Sequence, residues 1–69
     1  MAQITIGWYL IDESFEADGT IDVAIKDKRT NDFVLFRIEG LESYDKLIEY
    51  LDQNRQVGVL SKLKVANGN

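Results

Sequence analysis

The apolar residues of this chain change their spacing once, at Gly40, and that change limits the folds open to it. Before Gly40 they recur at every second position, as in strands that bury one face. After it they recur at steps of three and four, as in an amphipathic helix. Ile4, Ile6, Trp8 and Leu10 share one face of a first strand, and Ile21, Val23 and Ile25 share one face of a second. Phe33-Val34-Leu35-Phe36-Arg37-Ile38 has the aromatic and β-branched content that suits a third. Leu41, Tyr44, Leu47, Ile48 and Leu51 then follow the helical rule. Ser43 is the expected N-cap, with Asp45 and Arg55 placed to suit the helix dipole.

The expected fold is α+β: a three-stranded antiparallel meander over about residues 3–11, 20–27 and 33–38, with one helix over about 43–54 packed on one face. One small domain is expected over residues 1–69. Residues 57–65 alternate well enough to suggest a C-terminal fourth strand, although Leu60 breaks the pattern.

Register can be tested on paper. Pairing Ile11 with Thr20 sets Leu10, Trp8 and Ile6 opposite Ile21, Val23 and Ile25. Pairing Lys26 with Phe33 sets Val23 and Ile25 opposite Phe36 and Val34, so that inward residues meet inward residues. The same registers define an outer face, with Asp22 between Tyr9 and Arg37, Ala24 between Gly7 and Leu35, and Lys26 beside Phe33. Tyr9, Ile11, Phe33 and Leu35 give that face more apolar surface than a solvated one needs, and the Asp22–Arg37 pair crosses it. It is therefore the expected partner-binding surface, unless the C-terminal segment folds over it or along a sheet edge.

Composition removes most chemistry. The 69 residues include no cysteine, proline or histidine, which excludes disulfides, Cys/His zinc sites, imidazole acid–base catalysis and thiol nucleophiles. Ser14, Ser43 and Ser61 have no histidine to activate them, and the chain carries no Gly-rich phosphate loop. No catalytic residue, cofactor or metal is expected. The acidic loop from Asp12 to Gly19 fails as a calcium loop, having Ala17 and Val23 where an EF-hand needs Gly and Glu. Phe15, in the middle of that loop, either caps the core or anchors a partner. A chain of this size without disulfides also makes a homodimer an expectation.

Net charge is −4, which disfavours direct nucleic-acid binding. Glu42, Asp45, Glu49 and Asp52 form a stripe along the helix, either as an ordinary solvated face or as a ladder of carboxylates suited to a basic nucleic-acid-binding groove. The N-terminus lacks a signal-peptide pattern and no apolar run is long enough for a membrane helix, so a cytoplasmic location is expected.

In size, acidity and β-β-β-α order the chain looks like the small acidic α+β inhibitors that phages and mobile elements direct against host enzymes, anti-CRISPR proteins among them. The resemblance implies a non-enzymatic protein-binding module that modulates a larger protein or nucleoprotein machine. An adaptor or small subunit of a bacterial assembly fits the same residues. So does a three-stranded-sheet domain that lays its sheet in the DNA major groove, with Lys26 and Arg37 as its outward cations.

Overall fold

The structure, a computed structural model, describes residues 2–66, with side chains described as far as Leu63. The chain is α+β. Strands β1 (Ala2–Ile6), β2 (Tyr9–Phe15), β3 (Thr20–Asp27) and β4 (Phe33–Glu39) form one antiparallel sheet in the order β1-β2-β3-β4. Helices α1 (Leu41–Gln53) and α2 (Val59–Ala66) follow. Their apolar residues join the inner sheet face in a core that contains Ile11, Val23, Ile25, Val34, Leu51 and Leu60.

The expected first strand is in fact a hairpin. Ile6 pairs with Tyr9 across Gly7-Trp8, and Gly7 takes φ 56, the first-position geometry of a type II′ turn. The side chain of Arg55 lies over Gly7, so a Cβ there would come within 3.2 Å of Arg55 Cδ. The turn shifts the phase of β2. Tyr9, Ile11 and Glu13 point inward, and Leu10, Asp12 and Ser14 point outward. Ile11 accordingly pairs with Ile25 rather than with Thr20. β2 also runs on to Phe15, which leaves only a short connection closed by hydrogen bonds from Glu16 N–H to Thr20 C=O and from Gly19 N–H to Glu16 C=O. The β3–β4 register is the expected one, with Lys26 opposite Phe33, Ala24 opposite Leu35 and Asp22 opposite Arg37.

α1 starts two residues before the expected position. Gly40, with φ 88, occupies the N-cap and no side chain caps the helix, so Ser43 lies inside it. Tyr44, Leu47, Ile48 and Leu51 face the sheet as their spacing requires, while Leu41 remains 62% exposed at the first turn.

The C-terminal segment is a helix and not a fourth strand. Val59, Leu60 and Leu63 fall on one helical face, and that face closes the core over β3 and β4 beside α1. The Leu60 that broke the strand alternation is 1% exposed. This segment therefore covers neither the outer face nor an edge of the sheet.

Candidate protein-binding face and the locked end of the sheet

With both helices on the inner side, no described segment covers the other side of the sheet. Its rows follow from the pairings. Thr5, Leu10, Lys26 and Phe33 form one, Gln3, Asp12, Ala24 and Leu35 the next, and Ser14, Asp22 and Arg37 a third. Phe33 is 49% and Leu35 61% exposed, and side chains two residues apart on a strand stand about 6.6 Å from one another on the same face. Arg37 lies across the face, its Nε donating to Asp22 Oδ1 at 2.9 Å. That hydrogen bond is the main reason the Asp22 carboxyl is held below its ordinary range.

Of the six residues expected on this face, Asp22, Phe33, Leu35 and Arg37 are there. Tyr9 and Ile11 are not: both are 0% exposed and belong to the core. The cause is the Gly7 turn, which exchanged the two faces of β2. The neighbouring Leu10, half-buried on the outer side, takes the place expected of Ile11.

Tyr9 instead builds a lock at the end of the sheet where both tight turns lie. Its hydroxyl donates to the Asn54 carbonyl at 2.6 Å, tying the sheet to the end of α1. Asp27, 1% exposed, accepts from the Arg29 backbone N–H at 2.8 Å and from the Arg29 guanidinium at 3.1 and 2.9 Å. These bonds keep the Asp27 carboxyl below the usual carboxylate range. The guanidinium also sits 5.6 Å from the centroid of the Trp8 ring, a cation–π distance. Burial, assisted by the Asp27 carboxylate, raises the Tyr9 phenol above its ordinary value. Buried charge, paired donors and a perturbed phenol resemble catalytic chemistry, yet the Tyr9 hydroxyl and both Asp27 carboxylate oxygens already hold partners within the lock.

The acidic stripe is present on α1. Glu42, Asp45, Glu49 and Asp52 are all exposed. Glu42 meets Lys46 at 3.6 Å and Asp52 pairs with Arg55, which leaves Asp45 and Glu49 without a cation among the described residues. Phe15 packs edge-on against Tyr44 with ring centroids 5.9 Å apart and is 56% exposed, so it caps the end of the core and shows one side to solvent. At the tip of the same hairpin, Asp18 accepts from the Thr20 hydroxyl at 2.6 Å and the Thr20 N–H at 3.0 Å, which lowers its carboxyl.

Glu13 is the residue that sequence reasoning placed wrongly and that matters most for packing. Read as a loop acid, it is 6% exposed on the inner face of β2 opposite Val23, and its Oε2 has no hydrogen-bond partner. Among the described residues, no three acidic side chains converge in a way that could hold a metal ion, and no helix is long and apolar enough to cross a membrane. Comparison with protein-family models, with curated proteins and with solved structures finds no match for the chain.

Proposed function

We propose that this chain is a non-enzymatic protein-binding module that docks through the outer face of its sheet, in the cytoplasm, as an inhibitor or modulator of a larger protein or nucleoprotein machine. The observation that carries the reading is the pair Phe33 and Leu35, half or more exposed on a sheet face that neither helix covers. Apolar side chains held side by side on paired strands present a binding surface with little ordering cost. Leu10 extends the patch, and Ala24 keeps its centre low. A protein partner suits this face better than a phosphate backbone does. Its outward cations are Lys26 and Arg37, and Arg37 is already engaged by Asp22.

The test is capture of a partner by the wild-type chain, repeated with Leu35→Asp and with a double Asp45→Lys, Glu49→Lys variant. Loss of capture with Leu35→Asp, together with a native circular dichroism spectrum and unchanged capture by the helix variant, supports docking through the sheet. The reverse pattern overturns it and moves the site to the acidic helix.

A further inference from the structure

The geometry points to a second copy of this chain as the occupant of the β4 edge, paired antiparallel about a two-fold axis at Phe36 so that two four-stranded sheets become one. The first support is the backbone. In the β3–β4 ladder the Asp27 N–H donates to the Asp32 carbonyl at 3.0 Å, and hydrogen-bonded pairs then recur at alternate residues. Val34, Phe36 and Ile38 therefore spend their backbone groups on β3. Phe33, Leu35, Arg37 and Glu39 turn theirs outward, and no hydrogen bond among the described residues meets them.

The second support is weak protection. Exposed edges are ordinarily blunted by charged side chains, lysine above all, by proline, by a bulge or by a covering segment. β4 has no lysine or proline and pairs with β3 without a bulge, and its one central cation is drawn back over its own sheet by Asp22. The β1 edge is a poorer candidate. It is shorter and turns outward only the backbone of polar Gln3 and Thr5 between Ala2 and Ile6.

The third support is self-complementarity. Only registers that set outward backbone against outward backbone can bond, and these also keep inner face with inner face. A two-fold at Arg37 would set like charges directly opposite, which is destabilising. A two-fold at Leu35 leaves Glu39 unpaired and brings Ile38 against the second copy's Asp32. The two-fold at Phe36 uses the whole strand. It places Phe36 against its own copy and Val34 against the second copy's Ile38, so that the half-buried Phe36 and Ile38 meet their counterparts beside the buried Val34. On the outer face it sets Leu35 against the second copy's Arg37, and Glu39 against the second copy's Phe33, one strand from Lys26.

Charge agrees with this direction. At the end with the tight turns Lys26, Lys28, Arg29 and Arg55 outnumber Asp27, Asp32 and Asp52 by one, while at the other Glu16, Asp18, Glu39, Glu42 and Asp45 outweigh Lys46. An antiparallel two-fold lays the basic end of one copy beside the acidic end of the next.

The chain has no cysteine, so a single introduced one reports on the pairing directly. Directly opposite residues of a non-hydrogen-bonded antiparallel pair lie about 4.5 Å apart at Cα, within disulfide range. Phe36→Cys is expected to give a disulfide-linked dimer under mild oxidation, and Ile38→Cys, which faces Val34 of the other copy, is not. In the unaltered protein, amide exchange at Phe33, Leu35, Arg37 and Glu39 should slow by about tenfold or more as concentration brings the mass to twice that of the chain. A monomer at millimolar concentration with those amides exchanging freely overturns the inference. So does a dimer that protects Gln3 and Thr5 instead, or one that cross-links through Ile38→Cys but not Phe36→Cys. The pairing consumes edge backbone and leaves Phe33 and Leu35 on the outer face. A monomer that still loses its partner on Leu35→Asp would therefore end this inference and leave the docking proposal standing.

Discussion

The two ends of the sheet are built on different principles. At the end with the tight turns, the Tyr9–Asn54 hydrogen bond ties β2 to the helical layer, and the neighbouring Asp27–Arg29 pair, with Arg29 near the Trp8 ring, ties the two turns together. At the other end a short loop carries Glu16 and Asp18, the β4–α1 junction is a bare glycine, and Phe15 packs on Tyr44 across the layers. The first end holds the fold; the second presents charge to solvent. The lock pairs its buried hydroxyl and carboxylate, as burial without a net cost requires, whereas Glu13, buried further along β2, leaves its Oε2 unpartnered.

Four substitutions would break or sharpen that contrast. Asp27→Ala should cost the most, about 2–3 kcal/mol in chemical denaturation, since it strips the buried acceptor from Arg29. It should also flatten the acid limb of the stability profile. The depressed Asp27 carboxyl stabilises the fold at neutral pH, and that contribution disappears as pH falls below about 4 and through its lowered folded value. Tyr9→Phe should cost about 1 kcal/mol by leaving the Asn54 carbonyl without its donor. Because the phenol is raised in the folded state, wild-type stability should decline as pH rises past about 10, and the phenylalanine variant should lose that decline. Phe15→Ala, at the open end, should cost about 0.5–1 kcal/mol for a half-exposed edge-on ring contact. Asp18→Asn should leave the melting temperature within error, although it removes a charge from two hydrogen bonds to Thr20. An Asp18 effect as large as that of Asp27 would erase the distinction between the ends.

The two hairpins with tight turns, β1–β2 and β3–β4, differ in how well the sequence announces them. In β3–β4 the polar turn from Lys28 to Asn31 follows a strand whose Ile21, Val23 and Ile25 alternate with Asp22, Ala24 and Lys26, and that one phase sets the register of the mixed run Phe33–Ile38. In β1–β2 the run Trp8-Tyr9-Leu10-Ile11 is apolar on both faces, so either phase satisfies a paper test of pairing. What decides is Gly7, since a glycine followed by any residue between two alternating runs is the signature of a type II′ hairpin. The same ambiguity placed Glu13 in a loop rather than in the core. The second helix was legible in Val59, Leu60 and Leu63, whose spacing is helical, but eight residues give a weak period against a local β-like alternation. Phe33, Leu35, Asp22 and Arg37 fell on the outer face as expected because they depend only on the hairpin that was unambiguous.

The Tyr9–Asn54 hydrogen bond joins residues 45 positions apart, whereas every strand pairing joins immediate neighbours in the chain. Local pairings close quickly and with little loop entropy; a bond of that span forms only once α1 has settled across the sheet. It is thus expected to act as a latch that closes after the local pairings, and its release to let α1 breathe while the ribbon beneath stays zipped.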